Sequence, residues 1–452
     1  MSNEFSGALM EFVFRLCCTG PIDVESFDKA IVEALKHQPL LQANATIGPT
    51  HSTSYWRPAS NLTPVIKWLE GDPTAGRAAT DNFQPIELEN EIGFRFYGWQ
   101  FQNDGQPRTE MRFVFQHACC DGKGAISFIE HVLCQYKLLK EGKCETMPRF
   151  DGDRIQVRDK HAMGSYSIID RIWRTFIVRP KRAANMLLTK PLALDPPLEA
   201  NTEVAAVVPC QCSTTLSKEV TEKLGVHAKA VDATTNLVLA RELFHVLGEF
   251  RKSNVPKSDG ASNGKLLRML IPFSLRNETH QFMPAANCVS MAYFETKQDL
   301  LAQDDAGSPT LIADLVKQLT FIRKWQLQYA WIESIKTYAR IWPVIKLLKR
   351  SKKKGDGRQV ATTVLSNFGR VFSGGILASD QGKIKIDSLE IDTVHVVLPC
   401  TTKLSINFSV NFYAKRLTLD VSYLPSRVTR QTAQQLLESW RNRVLEALQQ
   451  HS

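Results

Sequence analysis

The alternation of hydrophobic and polar residues predicts closely spaced strands and helices in the N-terminal third of the chain. Residues 10–19 have the composition of a strand, and a helix opens at Asp23, continues with apolar residues at helical spacing and ends at Pro39. Residues 93–117 are predicted to form a hairpin, because two apolar arms flank a turn that contains an Asn-Asp-Gly sequence. A second helix follows, and its apolar face runs from Ala125 to Tyr136.

The second half of the chain shows the same mixture of elements, and its clearest strand signal lies near the end. Apolar residues alternate with polar ones over 404–412 and again over 417–423, which predicts an antiparallel hairpin with one buried face. Further strands are predicted at 204–212, 266–272 and 288–294, and helices at 217–224, 233–250, 311–329, 332–349 and about 430–449.

A segment of different composition separates the two halves. Residues 141–200 are rich in charge and proline, which is typical of a chain crossing from one domain to another. The sequence therefore predicts a two-domain α/β protein without internal repeats. Residues 1–185 form the predicted N-terminal domain, with the crossing segment at about 141–200, and residues 201–452 form the C-terminal one.

The charge balance is positive, since 56 Lys and Arg residues face 46 Asp and Glu residues and leave a net charge of +10. Such an excess suits nucleic acid, an anionic membrane surface or an acidic small molecule or carrier. No apolar run of about 18 residues predicts a membrane-spanning helix, and no secretory signal pattern is present. The 10 cysteines lack the Cys-x-x-Cys spacing of zinc sites, so we expect reduced residues, a cytoplasmic protein and no metal site.

One segment carries candidate chemistry: the strand that ends at His117 and the turn that contains Asp121. Because side chains alternate along a strand, the imidazole arrives at the strand end on the same face as the neighbouring phenylalanines. Its ordinary pKa of about 6.5 suits a general base near neutral pH. A polar pair without a catalytic role is the alternative explanation, and a nucleophilic Cys119 or Cys120 beside the histidine is another.

Residues 117–122, His-Ala-Cys-Cys-Asp-Gly, match the HxxxDG motif of the CoA-dependent acyltransferase superfamily. That group includes chloramphenicol acetyltransferases, peptide-synthetase condensation domains, alcohol acetyltransferases and wax ester synthases. Gln116 stands where many members have a first histidine, and the DFGWG motif of the plant branch is absent. Other segments resemble superfamily motifs and occur in the same order along the chain. Residues 20–23 and 37–43 resemble the opening strand, the helix and the HPxLR turn that follows it, and residues 231–236 resemble the start of the second-domain helix. Residues 270–276 resemble the PVDLR strand, residues 287–290 the GNxVS segment and residues 365–370 the SNxGR segment.

The resemblance implies two chloramphenicol acetyltransferase-like subdomains, each a mixed sheet flanked by helices, with an active-site tunnel between them. It implies that His117 is the general base and that Asp121 pairs with Arg276 instead of taking a proton. Gly122 has no side chain and would therefore leave room for the backbone in the turn. The proton acceptor and its supporting residues would therefore come from both halves of the chain.

The resemblance also implies substrates and further site residues. Ser366 and Asn367 would help to stabilise an oxyanion in the tunnel, although a simple turn after a strand explains them equally. The donor would be an acyl-CoA or a carrier-protein phosphopantetheine thioester, with no tightly bound cofactor, and the acceptor a hydroxyl or amine, including lipid-like alcohols. The alternative is a stand-alone condensation-type or catalytically silent member of the same fold that binds a carrier protein.

Two segments interleave tryptophan and isoleucine with basic residues, at 168–182 and 331–349, and a basic cluster follows the second at 349–358. The pattern fits an interfacial helix on an anionic membrane, and it equally fits a helix packed on its own domain. Peripheral membrane contact is therefore an open alternative for a cytoplasmic protein. Nucleic acid is not an expected partner, because no DNA- or RNA-binding motif accompanies the charge.

Overall fold

The computed structural model of the protein describes residues 10–46, 55–59, 63–73, 85–158, 160, 167–194, 209–254, 266–304, 310–330, 332, 360–372, 377 and 382–449. Its strands are β1 (Glu11–Thr19), β2 (Ala43–Thr46), β3 (Tyr55–Pro58), β4 (Val65–Leu69), β5 (Phe94–Asn103), β6 (Gln106–Gln116), β7 (Cys210–Thr215), β8 (Leu266–Ser274), β9 (Val289–Lys297), β10 (Thr363–Arg370), β11 (Lys385–Ile386), β12 (Leu389–Val397), β13 (Ile406–Tyr413) and β14 (Arg416–Tyr423). Its helices are α1 (Val24–Leu35), α2 (Gly122–Glu141), α3 (Ile168–Trp173), α4 (Arg179–Leu188), α5 (Lys218–Ala230), α6 (Thr235–Asn254), α7 (Gln298–Gln303), α8 (Thr310–Lys324) and α9 (Arg430–Gln449).

The first sheet has the strand order β11-β12-β1-β6-β5-β4. Every second residue of β1 is buried, because one face of the strand packs under α1 and α2 while the other stays half-open. Phenylalanines of β1, β5 and β6 fill the space below the two helices, together with Phe27 and Phe128. This aromatic core fixes the end of β6, where His117 follows.

Two strands of the first sheet come from the second half of the chain. β12 pairs antiparallel with β1, so that Val13 lies opposite Val397 and Arg15 opposite His395, and β11 adds the edge strand. The predicted division at residues 185–201 stays a prediction, and the first sheet draws on residues from both sides of it.

The second sheet has the order β7-β14-β13-β10-β8-β9, and β10 runs parallel to both of its neighbours. Helices α5, α6, α8 and α9 cover its core. Trp440 of α9 is fully buried, meets Phe408 edge to face and donates its indole N–H to the carbonyl of Leu239. β12 of the first sheet contacts β7, β13 and β14, so the two sheets meet along that strand.

Both predicted hairpins are confirmed. β5 and β6 are joined by Asp104 and Gly105, with φ of 51° and 73°, and β13 and β14 by Ala414 and Lys415, with φ of 48° and 61°. Two consecutive residues with positive φ give the tight turn whose twist matches that of paired strands.

Some predicted bounds differ from the observed ones. The strand expected at 204–212 is observed as Cys210–Thr215, whereas residues 201–208 lie outside the described ones. The helix expected at 311–329 is interrupted after Lys324, where Gln326 adopts a left-handed backbone with φ of 46°, and residues 327–330 are helical again. The predicted helix at 332–349 lies outside the described residues except for Ile332, and the basic cluster at 349–358 lies wholly outside them.

The crossing segment has helical structure of its own. A 3₁₀ helix spans Gly152–Val157, and α3, a π-helical turn at Arg174–Val178 and α4 follow one another without a break. Arg174 anchors this helical stretch by donating to the carbonyls of Trp325 and Gln326. Among the residues described, no helix is long and apolar enough to cross a membrane.

Candidate active site

His117 directly follows β6. Its backbone N–H donates to the carbonyl of Met10 at 2.9 Å, which extends the ladder between β1 and β6 by one step. The imidazole is half-buried and lies against the ring of Phe12, with 5.2 Å between the ring centroids. The backbone hydrogen bond and the aromatic contact together fix the ring at the end of the sheet.

Asp121 caps the N-terminus of α2 and is 3% exposed. Its Oδ1 accepts the backbone N–H of Gly124 at 2.9 Å. Its Oδ2 accepts the guanidinium of Arg276 at 2.5 Å and the backbone N–H of Cys288 at 2.7 Å. Three donors from two distant parts of the chain thus satisfy one buried carboxylate.

The loop between β8 and β9 closes on this turn from the second half of the chain. Ala286 accepts hydrogen bonds from the backbone N–H of Asp121 and from Arg276, at 3.3 Å and 2.9 Å. The backbone N–H of Ala285 donates to the fully buried Gln38, in the turn after α1, at 2.7 Å. Burial lowers the pKa of Arg276, but the charge of the Asp121 carboxylate and its hydrogen bond raise it by more. The pKa of Arg276 therefore lies above its ordinary value. Arg276 is thus positively charged at neutral pH.

Asn287 is a functional candidate that reasoning from the sequence did not assign to the site. Its amide Nδ2 donates to the carbonyl of His117 at 2.7 Å and lies 3.2 Å from the Nδ1 atom of the same residue. The only signal in the sequence was the segment 287–290, which resembles a superfamily motif without indicating what the asparagine contacts.

The electrostatic setting of His117 favours the neutral imidazole. Burial lowers its pKa, and this effect exceeds the opposing influence of the hydrogen bonds to the backbone of His117 and Cys120 and of the Asp121 carboxylate. The pKa of His117 therefore lies below its ordinary value of about 6.5. At neutral pH the ring is unprotonated and can accept a proton.

β10 reaches the same turn through Phe368. A Cβ atom on Gly122 would lie 2.3 Å from the ring of Phe368, so only glycine leaves room for this aromatic side chain. Phe368 also meets Phe14 edge to face, with 5.4 Å between the ring centroids. A residue of the second sheet thus packs on the first residue of α2.

Ser366 and Asn367 precede Phe368 on β10. Ser366 is buried, whereas Asn367 is exposed and its amide lies 3.5 Å from the side-chain oxygen of Asn236 at the start of α6. Across the described part of the chain, neither residue makes a hydrogen bond to His117. Their role in the site stays a prediction.

The two cysteines beside His117 are unsuited to nucleophilic catalysis. Cys119 and Cys120 are fully buried, and burial raises the pKa of Cys119 to about 12 and that of Cys120 well above its ordinary value. A thiol attacks as the thiolate, which these two residues do not form near neutral pH.

No protein-family model matches the chain, and no curated protein matches its sequence. Solved structures do match it over nearly its whole length. The first condensation domain of the calcium-dependent antibiotic synthetase, solved with a substrate analogue, has a TM-score of 0.68 and 13% identity, covering 99% of this chain and 93% of that one. The chain has the fold of this condensation domain.

Two further solved structures share this fold. The starter condensation domain of rhizomide synthetase, a mutant solved in complex with C8-CoA, has a TM-score of 0.65 and 13% identity, with 98% of this chain and 91% of that one covered. Trichothecene 15-O-acetyltransferase from Fusarium sporotrichioides has a TM-score of 0.65 and 14% identity, with the same coverage of 98% and 91%. The predicted α/β architecture, two mixed sheets flanked by helices, is therefore confirmed.

Proposed function

We propose that the protein is an acyltransferase that moves an acyl group from a thioester to a hydroxyl or amine, with His117 as general base. The arrangement around His117 carries the proposal: a neutral imidazole at a strand end, fixed by Phe12 on one side and by Asn287 on the other. The fold, which a condensation domain and an acetyltransferase share, supports the same conclusion.

In the proposed reaction, His117 removes the proton from the acceptor as its oxygen or nitrogen attacks the thioester carbonyl. We assign this step to Nε2, with the proton of the neutral ring on Nδ1, where the hydrogen bond of the imidazole to the backbone carbonyl of His117 would hold it. The tetrahedral intermediate then releases the thiolate, which takes the proton back from the imidazolium. A positioned base of this kind contributes about 10²–10⁴-fold to the rate.

Asp121 has a supporting role in this proposal. Both of its oxygens are engaged by donors, from Gly124 on one side and from Arg276 and Cys288 on the other. The carboxylate is therefore not available to shuttle protons, and it holds the turn after His117 against the loop of the second half. Arg276 and Gly122 support the site with it, and Ser366 and Asn367 are kept as proposed oxyanion or tunnel residues.

The donor is proposed to be an acyl-CoA or a carrier-protein phosphopantetheine thioester, bound as co-substrate. The rhizomide synthetase starter domain is a structural neighbour solved with C8-CoA, which supports the first of these. The alternative is a condensation-type or catalytically silent member that binds a carrier protein, and the intact site around His117 favours activity over it.

An acyl-CoA chain-length screen that records release of free thiol tests the proposal. Each donor is offered with a panel of alcohols and amines, and acyl-pantetheine replaces acyl-CoA in a parallel arm to represent a carrier thioester. We expect release that requires both a donor of suitable chain length and an acceptor. Binding of donors without release in any arm would indicate the silent alternative instead.

We further propose that the segment α3–α4 contacts an anionic membrane surface. Large apolar side chains point outward there, among them Ile168, which is 80% exposed, and Phe176, which is 73% exposed. The exposed Arg171 and Lys181 lie on the same segment and suit anionic headgroups. Such contact would bring the site to a lipid-like acceptor, and it would make the protein peripheral to the inner face of a membrane.

A further inference from the structure

A cysteine, a histidine and an aspartate meet where the two sheets come together. Cys17 of β1 lies opposite Thr393 of β12, two residues from His395 and on the same face of the sheet. His395 Nδ1 lies 3.2 Å from Oδ1 of Asp420 on β14, and its Nε2 lies 2.9 Å from the hydroxyl of Thr393. Three strands from distant parts of the sequence thus place a thiol, an imidazole and a carboxylate close together.

Asp420 is held in place independently of the histidine. The carboxylate is fully buried, and it accepts hydrogen bonds from the side-chain amide of Gln211 at 2.8 Å and from the backbone N–H of Val396 at 3.2 Å. A buried carboxylate that is fixed by other donors can orient an imidazole, as the third member of a nucleophile–base–carboxylate arrangement does. Cys17 itself is partly exposed.

This cluster is separate from the site at His117. The backbone of His117 pairs with Met10, and Cys17 lies seven residues further along the same strand, which amounts to about 23 Å at the usual rise per residue. The two side chains also lie on opposite faces of the first sheet, since Phe12 and the imidazole of His117 pack on the face that the helices cover. The proposed acyltransferase chemistry makes no use of Cys17.

The charges around Cys17 favour the thiolate. Burial raises its pKa, but the nearby imidazole of His395 and the positive charge of Arg15 outweigh burial, so the pKa of Cys17 lies below its ordinary value. The nearby Glu110 is neutralised by Arg15 and Arg112, each at 2.6 Å. Burial lowers the pKa of His395, but the Asp420 carboxylate prevails and the pKa is raised to about 9.

We propose that Cys17 is a second acyl-accepting site, a nucleophilic thiol that takes an acyl group from a thioester. The proposal rests on the proposed function only for the supply of that thioester. The thiolate of Cys17 attacks the carbonyl carbon, the new C–S bond forms, and the C–S bond to the departing thiol breaks. His395 gives its proton to the departing thiolate, so that a protein thioester, a free thiol and a neutral imidazole remain. Asp420 is a positioning residue, because it acts through His395.

Labelling of the full-length protein with iodoacetamide, followed by peptide mass spectrometry, tests the nucleophile directly. Cys144 and Cys210 are partly exposed like Cys17 and serve as internal controls. At pH 7 we expect Cys17 to be alkylated about tenfold faster than either control, with a rate that changes little between pH 6 and 8. Equal rates for the three thiols, or a tenfold rise per pH unit at Cys17, would overturn the proposal.

Incubation with acyl-CoA then tests acyl transfer to the thiol. We expect a mass increase of one acyl group on the peptide that contains Cys17, removed by neutral hydroxylamine and absent from Cys17→Ser. His395→Gln should slow the acylation and restore a steep pH dependence of alkylation, which a merely structural role would not do. Fast alkylation without any acyl adduct would rule out the acyl-accepting role.

The two proposals fail in different ways. Cys17→Ser should keep thiol release that depends on an acceptor, whereas His117→Ala should lose that release and keep the adduct on Cys17. If no thioester is turned over at His117, the alkylation rates still decide whether Cys17 is an activated thiol.

Discussion

Asp121 and Arg276 lie 155 residues apart in the sequence and form an ion pair between a buried carboxylate and a half-buried guanidinium, with 2.5 Å between Oδ2 and Nη1. The pair joins the turn after His117, in the first half of the chain, to the loop that carries Asn287 in the second half. The histidine and the asparagine that holds it are thus placed by a contact between the two halves.

Removal of one partner of this pair should destabilise the protein strongly. Arg276→Ala leaves a buried carboxylate without its counter-ion, which costs about 3–5 kcal/mol in the free energy of unfolding. Asp121→Asn should also destabilise, and the double variant should lose less than the sum of the two single changes. Urea unfolding of the four proteins measures the coupling.

A surface pair provides the matched control for this cycle. Arg154 and Asp151 form an ion pair at 3.2 Å with side chains that are 44% and 48% exposed, so Arg154→Ala should cost less than about 1 kcal/mol. Equal losses for Arg154→Ala and Arg276→Ala would show that the pair of Asp121 and Arg276 does not join the two halves.

Gly122→Ala should damage the site by steric conflict. The added methyl group would collide with the ring of Phe368, and overpacking of this kind costs about 1–3 kcal/mol. The double variant Gly122→Ala with Phe368→Leu should recover part of the lost stability and turnover.

Gly225→Ala is the control. A Cβ atom at Gly225, in the middle of α5, would meet nothing within 4 Å, so this variant should be slightly more stable than the unaltered protein. Thermal melting of the three variants and of the unaltered protein would contradict this account if the two single alanine variants behaved alike.

The pH dependence of turnover should follow the unprotonated form of His117. Because burial lowers the pKa of His117, the base is active throughout the neutral range and is lost only as the pH falls below about 6.5. The profile of kcat/KM, recorded by thiol release between pH 5 and 8, should be flat above that value and decline below it. An acid limb centred above pH 7 would mean that the residue being titrated is not the half-buried imidazole of His117.

The exposed apolar segment should mediate binding to anionic vesicles. Replacement of Ile168 and Phe176 by serine removes two of its most exposed large side chains and should abolish co-sedimentation with phosphatidylserine-containing liposomes at low salt. Val226→Ser on α5 is the control, since Val226 is also strongly exposed at 69% but lies away from α3 and α4. The membrane proposal would be wrong if the unaltered protein did not bind the vesicles, or if the variant with both serines still bound them.

Local patterns in the sequence predicted the elements that carry the site. The strand that ends at His117, the helix after Asp121 and the two hairpins follow from period-two and period-3.6 patterns. The turn at Asp104 and Gly105 follows in addition from residue types that accept positive φ. The resemblance to a superfamily added Arg276 as the partner of Asp121, a pairing that no local pattern contains.

The remaining features depend on contacts between distant segments. β12 inserts beside β1, although hundreds of residues separate them, and hydrophobic alternation cannot indicate which strands pair. Asn287 reaches His117 only because the loop before β9 closes on the turn before α2. The cluster of Cys17, His395 and Asp420 likewise draws on three strands, so no spacing in the sequence could have indicated it.

Thiol release by His117→Ala, compared with the unaltered protein on the best acyl-CoA and acceptor, is the most direct test of the central claim. We expect turnover to fall by about 10²–10⁴-fold while the melting temperature stays the same, because the half-buried ring lies at the end of a strand. His37→Ala, at an exposed histidine, should keep full turnover. Unchanged turnover in a folded His117→Ala protein would contradict the assignment of His117 as the general base.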